Sequence, residues 1–141
     1  DVVKAKLEKA GLTATLYPFA DSNDISSVCT TAVENNDVIY VPTDNTVADN
    51  TGIIDSICQT AKVPVIAGEE GICKGCGVAT LSISYEDLGR TTGKMAAKIL
   101  KGEANISEMP VEYTTTTKKY NAAVCDALGI TPLEGYVAIE E

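Results

Sequence analysis

Short β-branched runs that alternate with amphipathic helical stretches constrain this 141-residue chain more than any other feature. The run 38–41 (Val-Ile-Tyr-Val) and the run 63–67 (Val-Pro-Val-Ile-Ala) are continuous and apolar. That is the pattern of strands buried on both faces of a parallel sheet. Residues 78–84 alternate as a third strand, and residues 12–17 alternate apolar residues with threonine, as an earlier one. Between them, apolar positions recur with helical spacing. Val3, Leu7 and Ala10 mark a first helix before Gly11, and Ile25, Val28, Cys29, Ala32 and Val33 mark a second. Val47, Ile54, Ile57, Cys58 and Ala61 mark a third, with Gly52 weakening its middle, and Leu88, Thr92, Met95, Ala96 and Ile99 a fourth ending at Gly102. The stretch 69–77 reads as a glycine-rich loop, 111–116 as extended chain, 120–128 as a short helix ending at Gly129, and the remainder as a polar tail. Alternation of this kind predicts an α/β fold with a Rossmann-like parallel sheet, helices on both faces and right-handed crossovers. The order opens on a helix, so the strand that should precede it is missing from the pattern.

Composition narrows the function. Eleven basic against twenty acidic residues give a net charge of −9, which repels phosphate backbones and anionic lipids, so no nucleic-acid partner is expected. No apolar run approaches the length that spans a bilayer. The chain has no histidine, which removes Ser-His-Asp and Cys-His catalysis and the commonest metal ligand. Its five cysteines, an odd number, read as reduced thiols packed as small apolar groups. Cys73-Lys-Gly-Cys76 has C-x-x-C spacing, but no second pair exists to complete a tetrahedral zinc site, so no metal is expected there. Gly89-Arg-Thr-Thr-Gly93-Lys94 is one residue short of a phosphate-binding loop. The chain begins with Asp1 rather than Met and without a leader pattern, which reads as a processed or excised segment.

In open α/β sheets, ligands sit beyond the carboxyl ends of the strands. Three segments reach that edge: Thr43, Asp44 and Asn45; Gly68, Glu69 and Glu70; and Ser84 with Tyr85. Small and polar groups after apolar strands suit a cleft that hydrogen-bonds a small polar ligand. The bland alternatives are that Thr43, Asp44 and Asn45 merely cap a helix and that Glu69 and Glu70 lie in a solvated loop.

Three motifs, Tyr40-Val-Pro-Thr-Asp-Asn-Thr-Val47, Pro64-Val-Ile-Ala-Gly-Glu-Glu-Gly71 and Leu88-Gly-Arg-Thr-Thr-Gly-Lys-Met95, with Met109-Pro-Val-Glu-Tyr113, carry a resemblance over almost the whole chain. The sequence resembles ABC transporter substrate-binding proteins of the tryptophan/tyrosine type, which have the type I periplasmic-binding fold. The resemblance implies one lobe of that fold: residues 1–83 in the second, carboxy-terminal ligand-binding lobe, 84–110 returning to the first lobe, and 111–141 crossing back with the tail. It also implies a solute-binding component of an importer, without enzymatic activity or cofactor, that holds an amino acid or similar small polar ligand on the eight residues above. Ser84 stands where many members carry aspartate. The implied partners are the ligand, an ABC permease and a missing amino-terminal half, with self-association through the stripe of helix 85–101. The implied location is extracytoplasmic, as a lipoprotein. Two other readings of the same residues are a metal-dependent enzyme domain using Asp44, Glu69 and Glu70, and a cytosolic ligand sensor.

Overall fold

The computed structural model describes residues 2–140. In chain order the elements are α1 (Val2–Lys9), α2 (Ile25–Asn35), β1 (Ile39–Val41), α3 (Asn45–Ala48), α4 (Thr51–Ala61), β2 (Val65–Ala67), α5 (Glu70–Cys76), β3 (Ala79–Ile83), α6 (Tyr85–Leu100), β4 (Thr116–Tyr120), α7 (Ala122–Leu128) and β5 (Val137–Ala138). The five strands form one sheet in the order β1-β2-β3-β4-β5. β1, β2 and β3 run parallel, with Val41 opposite Ala67 and Ala67 opposite Thr80. β4 is antiparallel to β3 and β5 parallel to β4, so the sheet is mixed but mainly parallel. The predicted α/β architecture of a sheet flanked by helices therefore stands, with one reversed strand pair that the alternation did not reveal.

The core lies on one face of that sheet. Ile25 and Cys29 from α2, Ile54 and Cys58 from α4, and Ile72, Cys73 and Cys76 from α5 close over Val41, Val65 and Ala67. Burying a side chain such as Ile72, which is wholly inaccessible, contributes about 1.5–3 kcal/mol. A second cluster joins Val78 to Val124 and Cys125 of α7, with Leu128 and Ile130 against it. All five thiols are buried and free.

Four local expectations are corrected. Residues 12–17 form no strand: the sheet ends at β1, which pairs only with β2, and this segment does not add to its open edge. Neither the run 38–41 nor the run 63–67 is buried on both faces: Val41, Val65 and Ala67 belong to the core, whereas Tyr40 is 43 % and Ile66 37 % exposed. The single helix expected from 47 to 61 is two, because Asn50 leaves the helical region and its side chain bonds the Thr46 carbonyl at 2.7 Å, which lets α4 restart at Thr51. The loop expected at 69–77 is α5. Its glycines are there for packing rather than for a turn: a Cβ on Gly75 would lie 2.5 Å from Thr51 Cβ, so this residue sets how closely α5 approaches α4.

α6 follows its predicted span but buries none of its residues. Leu88, Met95 and Ile99 are half-buried along its stripe, and Leu100 is 88 % exposed. No helix among the described residues is long and apolar enough to cross a membrane.

Candidate functional site

The parallel strands deliver their carboxyl ends to one edge of the sheet, and the loops that leave them are pressed together. Gly68 N–H donates to the Val41 carbonyl at 2.8 Å. A Cβ at Gly68 would sit 2.8 Å from Thr43 N and 3.0 Å from the Pro42 carbonyl carbon, so only glycine lets the β2 loop lie against the β1 loop. Helices leave the same edge, each capped by a side chain from the predicted set. Asp44 Oδ1 accepts from Val47 N at 2.9 Å and starts α3. The Glu69 carboxylate accepts from Gly71 N at 2.8 Å and from Ile72 N, starting α5. Ser84 Oγ accepts from Asp87 N at 3.1 Å and starts α6. Capping bonds of this kind contribute about 1 kcal/mol each.

Beside these caps opens a cavity of about 440 Å³, lined by Glu69, Glu70, Gly71, Ser82, Ile83, Ser84, Tyr85, Thr117 and Lys119. Its charge centre is an ion pair: Lys119 Nζ donates to both carboxylate oxygens of Glu70, each at 2.7 Å. Ser82 and Thr117 face each other across β3 and β4, and Thr80 faces Lys119 in the same ladder. Thr80 is buried, and its hydroxyl has no hydrogen-bond partner in the structure. A smaller, open groove of about 220 Å³ lies between Leu16, Tyr17 and Pro18 and the α2 residues Ser27, Val28 and Thr31, and carries no charged group.

Of the eight residues chosen from the sequence, Glu69, Glu70, Ser84 and Tyr85 line the cavity. Thr43, Asp44, Asn45 and Gly68 belong to the neighbouring loops and do not line it. Lys119 and Thr117 escaped the sequence reading because β4, Thr-Thr-Lys-Lys-Tyr, has no apolar face to announce a strand.

The C-x-x-C pair sits inside α5, away from this cavity. Cys73 Sγ bonds the Gly77 carbonyl at 3.6 Å and Cys76 Sγ the Ile72 carbonyl at 3.4 Å. Burial first, then the neighbouring Cys76, pushes the Cys73 thiol up to about 12. Burial first, then Asp55, does the same for Cys76. Cys29 and Cys58 lie sulfur to sulfur at 3.8 Å, and this contact, with burial second, raises the Cys58 thiol. Reactive thiolates need the opposite environment. Among the described residues, no three histidine, cysteine, aspartate or glutamate side chains gather where they could hold a metal ion.

Residues 1–137 match the family described as ABC transporter substrate binding protein. A crystal structure of an ABC domain in complex with L-Trp from Streptococcus pneumonia is 34% identical with a TM-score of 0.84, over 96% of this chain and 48% of that one. The ligand-free, open structure of a substrate binding protein with adhesive properties from Clostridium difficile is 35% identical with a TM-score of 0.77, over 98% of this chain and 48% of that one. A tyrosine-binding protein of Clostridioides difficile (strain R20291) is 33% identical over 90 residues, which are 64% of this chain and 26% of the relative. The chain thus spans about half the length of these solved structures. The family match takes in nearly the whole chain, and this overturns the expectation that a missing amino-terminal half is among its partners.

Proposed function

Because the chain belongs to the family of ABC transporter substrate-binding proteins, we propose that it binds an amino acid or similar small polar molecule for delivery to an ABC permease. The cavity at the carboxyl edge of the sheet carries this reading. Its volume of about 440 Å³ falls within the range of small-ligand sites, about 300–1,000 Å³, and it combines the Ser82, Ser84 and Thr117 hydroxyls with one ion pair and the ring of Tyr85. The L-Trp complex of one relative and the tyrosine-binding name of another support an amino acid as ligand. In this reading residues 1–83 and 111–141 form the ligand-binding lobe, and 84–110 is a projecting segment. Thr43, Asp44, Asn45 and Gly68 act from the rim, and Glu69, Glu70, Ser84 and Tyr85 from the cavity itself. The protein works outside the cytoplasm, attached to the membrane as a lipoprotein, where a permease can receive its ligand.

The carboxylates that a metal-dependent enzyme would need are already committed. Asp44 and Glu69 cap helices and Glu70 pairs with Lys119, which leaves no convergent set for a divalent ion. Binding without chemistry needs only this geometry, and closure around the ligand converts binding free energy into a shape that a transporter can read.

A thermal-shift panel of free amino acids, nucleobases and divalent cations tests the reading. A ligand at 100 times its dissociation constant adds about 2.7 kcal/mol to stability. At least one amino acid raises the midpoint, whereas nucleobases and cations leave it in place. Stabilisation by a cation or a nucleobase alone contradicts the proposal.

A further inference from the structure

From the buried thiols of the core we propose a modification site that the binding function does not use: Cys29 and Cys58 close to a disulfide bridge between α2 and α4 when a peroxide reaches them, and a thiol reductant reopens it. Neither residue lines the cavity at the carboxyl edge of the sheet. Cys29 stands on α2 and Cys58 on α4, 29 positions apart in sequence, and tertiary packing alone sets their sulfurs 3.8 Å from each other. The other three thiols are engaged elsewhere: Cys73 Sγ with the Gly77 carbonyl, Cys76 Sγ with the Ile72 carbonyl and Cys125 Sγ with the Val78 carbonyl. The C-x-x-C spacing at 73–76 therefore points to the wrong two cysteines, and the two in contact carry no sequence motif.

A bridge needs its sulfurs at about 2.05 Å, and rotation of the two side chains with a small approach of the two packed helices covers the distance that remains. The contact is asymmetric. Cys29 is 9 % exposed, the most accessible of the five thiols, against 2 % for Cys58. The hydrogen bond from Cys58 lowers the Cys29 thiol, with burial opposing it, and the same contact raises Cys58. Cys29 is thus the sulfur that ionises and the one a small oxidant meets. Its thiolate attacks one peroxide oxygen, the O–O bond breaks, and the departing hydroxide takes up the proton that Cys29 released, leaving water and a sulfenic acid on Cys29. The Cys58 sulfur then attacks the Cys29 sulfur, the S–S bond forms, the S–O bond breaks, and hydroxide leaves with the Cys58 proton as a second water. Two electrons pass from the sulfurs to the peroxide. The bridge encloses β1, residues 43–45 and α3 between its ends, so oxidation ties down the chain that leaves the β1 edge of the sheet.

Peptide mapping by mass spectrometry, on the whole chain first reduced and then exposed to hydrogen peroxide while folded, tests this. One bridge forms, from Cys29 to Cys58, three of the five thiols stay free, and dithiothreitol restores all five. The thermal midpoint of the bridged chain rises by about 10 °C and falls back on reduction. Cys58→Ala removes the sulfur that resolves the intermediate, so Cys29 stays as a sulfenic acid and is captured by dimedone. Cys29→Ala gives neither bridge nor adduct, and Cys73→Ala bridges as wild type does. Circular dichroism establishes that each variant is folded, and the wild-type map decides the matter even where a variant is not. A bridge between Cys73 and Cys76 overturns the proposal. So does a folded wild-type chain that keeps all five thiols, or whose cysteines go on to sulfonic acids with no bridge formed.

Discussion

Gly75→Ala asks whether α5 is held against α4 as closely as the structure requires. An alanine Cβ at position 75 would lie 2.5 Å from Thr51 Cβ and 2.8 Å from Thr51 Cγ2. Thr51 Cβ is fixed to its backbone, so rotating the side chain does not relieve the overlap, and α4 or α5 must move. Overpacking of this kind costs about 1–3 kcal/mol. Replacing a helical glycine by alanine returns up to about 1 kcal/mol. With an overlap this deep the cost falls at its upper end, and the net loss is about 2 kcal/mol. Urea denaturation followed by circular dichroism reads it as a lower midpoint with an unchanged slope. Thr51→Gly in the same chain removes the obstructing atoms and recovers part of the loss. Gly93→Ala serves as the control, because nothing lies within 4 Å of the Cβ it would add in α6, and it stabilises by about 0.5–1 kcal/mol. A Gly75→Ala protein at least as stable as wild type refutes the packing of α5 on α4 described above.

Asp44→Ala leaves the Val47 N–H of α3 without its acceptor and lowers stability by about 1 kcal/mol in the same denaturation assay, whereas Asp44→Ser keeps most of it. Raising the pH from 8 to 10 destabilises the fold. In the folded chain Cys73 and Cys76 stay protonated up to about 12, but in the unfolded chain they ionise near 9.0, so unfolding releases protons and the unfolded state gains about 1.4 kcal/mol per thiol at pH 10. Below pH 8 both states are protonated and the contribution vanishes. The Cys76→Ala variant has a shallower alkaline decline in melting temperature than wild type, and an identical decline counts against the buried, neutral thiols.

The strand–helix alternation was legible because β1 and β2 are drawn from apolar runs, β3 alternates apolar residues with Thr80 and Ser82, and α2, α4 and α7 place residues such as Ile25, Ile54 and Val124 on a single buried side. What the sequence hid has physical causes. Gly71 and Gly75 look like helix breakers, and nothing local shows that one lies against the capping Glu69 and the other against Thr51. β4 carries its hydrophilic residues towards a cavity and an open face, so neither alternation nor apolarity marks it. Residues 12–17 have strand-like alternation, yet a strand exists only where a neighbour accepts its hydrogen bonds. At the site, the strand-end rule found Glu69, Glu70, Ser84 and Tyr85, because those positions follow β2 and β3 directly. It could not find Lys119, which reaches the same cavity from an antiparallel strand whose partner lies more than thirty positions earlier.

Amide chemical-shift mapping of the chain titrated with L-tryptophan tests the central claim most directly, because it reports both whether an amino acid binds and where. Saturable shifts are expected at Glu70, Gly71, Ser82, Ser84 and Thr117, with the Lys119 side-chain ammonium moving in step, while the groove at Tyr17 and Val28 stays silent. Saturable shifts centred on Tyr17 and Val28, with the Glu70 and Lys119 signals unmoved, would contradict the claim that this cavity is the ligand site.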